Sequence, residues 1–182
     1  MLSDLRPLEK LIDIYEKSVG GNATFLLNIP PTSEGLFHEN DVQRLHEIGE
    51  YIRCSYGMNL ADTAVITASP AAERHDIACV RTDDDNCYIP VDENGVATIE
   101  LRWPEAQTIR RVVMKEQILL SQRVERFAID AMVDGAWQAV NTGTVIGHKR
   151  IVVLDKVKTE ALRIRIIDAR VAPTVKFIGV YC

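Results

Sequence analysis

Residue 53 divides this chain into two kinds of pattern. Before it, apolar residues recur at helical spacing; from about residue 63 to the end they recur at every second position. A helical period and a twofold period cannot share one element, so the change forces two structural units on the chain. The units expected are residues 1–53, a short polar connection over 54–62, and residues 63–182.

In the larger unit, Ala97, Ile99, Leu101 and Trp103 alternate with polar residues. So do Phe127, Ile129, Ala131 and Val133, then Leu162, Ile164 and Ile166, then Val175, Phe177 and Tyr181. Such alternation marks strands with one face on a core and the other in water. Asp134-Gly135 lies between two apolar runs, and Asp-Gly is a favoured two-residue hairpin turn because both positions accept positive φ. Further strands are expected at Val65–Ala68, Arg111–Glu116, Trp137–Val140 and Arg150–Leu154. About eight short strands in roughly 120 residues is the pattern of a mainly β protein, an antiparallel sandwich or jelly roll. Trp103 and Trp137 are both expected inside it.

The leader reads helix, strand, helix. Leu8, Leu11, Ile12, Tyr15 and Val19 share one face of a helix over Pro7–Val19, with Ser3 or Asp4 as its cap and Gly20-Gly21 as its stop. "FHENDVQRLHEIGEYIR" gives a second helix, with Asn40 or Asp41 near its start and Val42, Leu45, Ile48 and Ile52 on the buried side. Between them stands "ATFLLNIPPTSEG", Ala23 to Gly35. Its apolar run, Phe25, Leu26, Leu27 and Ile29, does not alternate, as in parallel strands covered on both faces. No other segment offers itself as a parallel neighbour for a strand at Thr24–Ile29.

The composition is 47% hydrophobic and 26% charged, with a net charge of −5. This balance argues against a nucleic-acid footprint, which needs a basic stripe or patch. No apolar stretch reaches the length of a membrane span, and "MLSDLRPLEK" lacks the pattern of a signal peptide. Cys54, Cys79, Cys87 and Cys182 form no C-x-x-C pair; Cys79 and Cys87 could pair across a loop, but free thiols are the expectation. There is no Ser-His-Asp set, Gly-rich phosphate loop or metal motif.

Two stretches resemble known families. "RVERFAIDAMVDGAWQAVNTGTVIGHKRIVVL", followed by "ALRIRIIDARVAPTVKFIGVY", resembles discoidin domains, the coagulation factor five/eight C-type, galactose-binding-like sandwich. "LIDIYEKSVGGNATFLLNIPPTSEGLFHENDVQRLHEIGEYI", Leu11 to Ile52, resembles the last βα unit of the catalytic barrel in α-L-fucosidases of glycoside hydrolase family 29. The resemblance implies that residues 1–53 are an α-β-α remnant of a (β/α)8 barrel whose other strands lie in a missing N-terminal part. The parent would remove α-1,3- or α-1,4-linked fucose from oligosaccharides by a retaining mechanism. Its two catalytic carboxyl groups match no position here, so no catalytic residue is assigned and the chain alone is expected to be inactive.

Site expectations follow from the two resemblances and from the residues themselves. Asn28, at the C-terminal end of the barrel strand, would border the sugar pocket. On the sandwich, Arg74 and His75 would join Tyr88 if their loops share one end, giving an aromatic face beside planar polar groups. Asp83, Asp84 and Asp85 are weak calcium candidates. Lys176 and Phe177 stand where a calcium-binding member places a Glu, so neither structural calcium nor another cofactor is expected. The resemblance suggests a periplasmic or secreted parent. The alternative readings are a stand-alone carbohydrate-binding module and a purely structural or interaction sandwich. The leader is expected to dock on the sandwich, to self-associate or to be marginally ordered, because a strand with open edges is an association hazard.

Overall fold

The computed structural model describes residues 6–92 and 95–182. Helix α1 spans Leu8–Val19 and α2 spans Glu39–Tyr56; the strands are β1 (Val65–Ala68), β2 (Ala97–Glu116), β3 (Val124–Val133), β4 (Ala136–Gly143), β5 (Arg150–Ala169) and β6 (Val175–Tyr181). Pro7 provides the extended residue ahead of α1 and Gly20 ends the helix. The Ser3 or Asp4 cap lies outside the described residues. Helix α2 starts with Asn40 and Asp41 in its first turn and is capped by His38, whose Nδ1 accepts the Asn40 N–H. Helix α2 also continues through Cys54, Ser55 and Tyr56, into the segment expected to be a polar connection. Tyr56 has a seat there, packed edge-on against Tyr15 and Tyr181.

The eight expected strands are six among the described residues, because two pairs are continuous. Ala97–Trp103 and Arg111–Glu116 belong to β2, and Arg150–Leu154 and Leu162–Ile166 belong to β5; each strand is 20 residues long. Polar residues midway along each had masked the continuity. The two strands pair antiparallel along their length, with register shifts between Arg102 and Gln107 and between Ile109 and Arg111. Bulges of this kind bend a sheet and increase its twist. All six strands therefore form one branched antiparallel sheet in the order β1-β2-β5-β3-β4, with β6 added to β2. Strands β1 and β6 take different halves of one β2 edge: β1 pairs near Ile99–Arg102 and β6 near Arg111–Glu116.

The bend lets both halves contribute to one apolar core. Ile99, Leu101, Ile129, Leu162, Ile164 and Ile166 from one half join Val112, Met114, Ile178 and Val180 from the other. Burying each large aliphatic side chain contributes about 1.5–3 kcal/mol. The β3–β4 hairpin turns at Asp134 (φ 51°) and Gly135 (φ 77°), as expected from Asp-Gly. Trp103 is in the core and donates its indole N–H to the Leu60 carbonyl at 2.8 Å. Trp137 is not. It lies half-buried on the outer face, beside Arg163 and Arg102. Val140, and not Trp137, is the β4 side chain that packs against the core.

The leader docks on the far half of the sheet. Tyr15, Val19 and Tyr56 pack against Val113, Ile151 and Tyr181. At the centre of the contact Arg111, 3% exposed, pairs with Glu16 at 2.6 Å. Asn22 fastens the chain after α1 by donating to the Ile146 carbonyl (3.0 Å) and accepting the Lys149 N–H (2.9 Å). Asn59 fastens the chain after α2, its side-chain oxygen accepting from Ala61 and Val180.

Candidate functional site

The apolar run at Thr24–Ile29 was expected to be a strand covered on both faces. It forms no strand, and among the described residues no hydrogen bond reaches the backbone groups of 24–31. Its side chains still alternate, as in an extended chain. Phe25 and Leu27 turn inward on Leu11, Ile12 and Ile48. Leu26 is 89% exposed, and Asn28 is exposed beside it. One face has helices on it; the other is bare among the described residues.

The same face of the leader is open elsewhere. Of the four residues expected on the buried side of α2, only Ile48 is buried; Val42 and Leu45 remain 38% and 37% exposed, and Ile52 is half-covered. Leu36 (65%) and Phe37 (56%) continue the exposed apolar surface through the loop before α2. Large apolar side chains exposed together on a folded chain mark a contact surface.

Between the segment and α2 runs a groove of about 370 Å³, lined by residues including Arg6, Leu26, Asn28, Asp41, Arg44 and Leu45. Arg44 is tied down by Glu47 at 2.9 Å and by donation to the Arg6 carbonyl at 2.9 Å. Asn28 lines this groove. Asp41 is the lining carboxyl. It lies in the first turn of α2, where a negative charge favours the helix dipole. Retaining glycoside hydrolysis needs a second carboxyl group about 5–5.5 Å away, and the groove does not supply one among the described residues.

The loops carrying Arg74, His75 and Tyr88 do meet: His75 Nδ1 lies 3.0 Å from the Cys87 carbonyl oxygen, and the Ile89 N–H donates to the His75 carbonyl. Tyr88 nevertheless offers no face to a ligand. It is 0% exposed in the core, and its hydroxyl donates to the Ser69 carbonyl at 2.8 Å. A twofold pattern too short to assign an inward side hid this. Arg74 is exposed at φ 66° beside Glu73. Replacing Tyr88 is therefore a stability experiment. Tyr88→Phe is expected to lose about 1 kcal/mol for one hydrogen bond, and Tyr88→Ala about 3–5 kcal/mol for the cavity, both read from urea unfolding midpoints.

The acidic turn is neutralised from within the protein. Lys115 pairs with Asp83, and Lys176 lies 3.9 Å from Asp83 and 3.6 Å from Asp85. Asp84 instead closes its own turn, accepting the Asn86 N–H at 2.8 Å and the Thr82 hydroxyl at 2.9 Å. Those bonds, the Asn86 N–H foremost, hold its carboxyl below the usual range. Among the described residues no three His, Cys, Asp or Glu side chains converge as a metal site. All four cysteines are free.

The family profile for alpha-L-fucosidase matches residues 2–56. Alpha-L-fucosidase 1 of Arabidopsis thaliana is 28% identical over 184 residues, covering 97% of this chain and 36% of that protein. The chain is related to the α-L-fucosidases of glycoside hydrolase family 29. Two solved structures agree. SpGH29 superposes with a TM-score of 0.91 at 28% identity, over 98% of this chain and 40% of that one. The Ruminococcus gnavus GH29 fucosidase, solved with fucose, gives 0.89 at 26% identity over 97% and 37%. This fucosidase-related chain spans about a third of the length of the curated relatives it matches.

Proposed function

We propose that this chain is the C-terminal portion of an α-L-fucosidase. Residues 1–53 supply the last βα unit of the catalytic (β/α)8 barrel, and residues 63–182 form an accessory sandwich of discoidin type that braces it. The observation that carries this reading is the unpaired, one-sided segment at 24–29. Peptide groups without partners are costly once water is excluded, so a segment built this way needs strands on its edges. A barrel provides both edges and covers the open apolar face with its own interior and neighbouring helices.

On this reading the parent cleaves α-1,3- or α-1,4-linked fucose from oligosaccharides through a retaining, two-carboxyl mechanism. This chain contributes Asn28 to the rim of the sugar pocket, and the nucleophile and the acid/base come from the missing barrel strands. The sandwich contributes by holding α1 and α2 through Arg111 and Asn22, and so setting where the segment lies.

Two measurements on the purified chain test the reading. No nitrophenol release from an aryl α-L-fucoside is expected, and the amides of residues 24–29 should exchange near free-peptide rates or become protected only as the chain self-associates. Fucose release by the chain alone, or strong protection of those amides in a monomer, defeats the proposal.

A further inference from the structure

Trp137 leaves the core for a reason that its surroundings make legible. It stands on the outer face of edge strand β4, opposite Met132 of β3. Arg163 of β5 places its guanidinium carbon 4.4 Å from the ring centroid, and Arg102 of β2 lies at 5.6 Å. Beneath them Asp130, with a side chain 3% exposed, accepts from Arg163 Nε (2.9 Å) and from Arg165 Nε (2.6 Å) and Nη2 (3.0 Å). Arg165 and Arg163 hold its carboxyl below the ordinary range. Glu100 takes one Arg102 N–H at 3.0 Å.

A buried carboxylate that fixes two guanidinium groups is a device for positioning donors, and a preorganised donor loses little entropy on binding. Each guanidinium has five N–H groups. The contacts to Asp130 and Glu100 leave some of those on Arg102, Arg163 and Arg165 without a protein acceptor among the described residues. Their side chains are 51%, 23% and 39% exposed. Among the described residues, the ion pairs of this cluster set three guanidinium groups against two carboxylates, Asp130 and Glu100, a local excess of one positive charge.

We propose that Trp137, Arg102, Arg163 and Arg165 form a binding site for an acidic saccharide. The ring takes the C–H face of a pyranose, as aromatic surfaces do for amphipathic ligands. The spare guanidinium donors take the sugar carboxylate, whose two oxygens match the fork. A neutral sugar leaves the charge unanswered, and a small carboxylate leaves the ring unused. The site shares no residue with the leader or its groove, so it stands whether or not the barrel reading does.

Trp103 is 5% exposed, so ligand-dependent fluorescence reports chiefly on Trp137. Titrating the full chain with trigalacturonate should give saturable quenching, with affinity at least about tenfold above that for neutral galactotriose, a difference of about 1.4 kcal/mol. It should weaken with added salt. Arg102→Ala, at an exposed position, should reduce affinity about tenfold, while Arg74→Ala should leave it unchanged. Trp137→Phe, followed by calorimetry, should also weaken binding. The proposal is overturned if trigalacturonate gives no saturable signal in the millimolar range. It is likewise overturned if galactotriose or acetate binds equally well, or if Arg102→Ala and Arg74→Ala behave alike.

Discussion

Replacing Arg111 by alanine is expected to remove about 3–5 kcal/mol of stability, because it leaves the Glu16 carboxylate, only 12% exposed, without its cation. Arg111 projects from β2 into the leader contact and uses its whole fork. Nε reaches Glu16, Nη1 donates to the Cys182 carbonyl at 3.2 Å, and Nη2 donates to the Tyr51 hydroxyl. Its guanidinium carbon also lies 5.5 Å from the ring centroids of both Tyr51 and Tyr56. Burial and the adjacent Glu16 push the Tyr56 phenol far above its ordinary pKa, so Tyr56 remains a donor to Glu16. It cannot supply the missing charge. Lysine cannot reproduce the fork and should recover only part of the loss. Removing both charges, with Arg111→Met and Glu16→Leu together, should recover most of it. Urea unfolding and limited proteolysis of the leader read both effects. A loss below about 1 kcal/mol for Arg111→Ala would show that the pair behaves like a surface ion pair.

Glu116→Ala should have a comparable effect by a different mechanism. This carboxylate is 1% exposed, and its partners among the described residues are backbone N–H groups, from Arg123 (2.8 Å), Val124 (3.0 Å) and Gly147 (2.6 Å). Alanine strands all of them, and a buried unsatisfied donor costs about 1–3 kcal/mol. A total of about 3–5 kcal/mol is expected once water reaches some of them. Glutamine should cost less, about 1–3 kcal/mol, because its amide keeps one accepting oxygen but turns an N–H toward a donor. The damage should reach the leader. Gly147 adopts φ 65° and packs so closely on Asn22 that a Cβ would lie 2.7 Å from the Asn22 side-chain oxygen. Loosening that loop in Glu116→Ala should therefore accelerate amide exchange at Lys149, whose N–H bonds to Asn22. Unchanged exchange there would show that the two contacts are independent.

The sequence was legible where one side of an element faces a uniform environment. The alternation at Ala97–Trp103 and Leu162–Ile166 gave strands with the correct inward faces, and Asp134-Gly135 gave the hairpin. It was less legible where neighbours decide. Trp137 and Tyr88 exchanged roles: the aromatic expected to be buried lies on the outer face, and the one expected to be exposed is fully covered. Both follow polar turns, and a side chain's direction there depends on register across strands that are distant in sequence. The Trp137 site was missed for the same reason. Its signal in the sequence is the Arg-x-Arg pair at Arg163 and Arg165, on the polar side of an alternating strand.

Hydrophobic period, turn chemistry and helix stops were determined by the order of residues alone, since each depends on contacts a few positions apart. They fixed a helical leader and a mainly β body. Only the tertiary structure decided that β2 and β5 bend through both halves of a single sheet, that Arg111 bolts the leader onto it, and that one face of the segment at 24–29 stays bare among the described residues. Those outcomes rest on contacts between residues far apart in the chain, and on neighbours that a local pattern can require but cannot name.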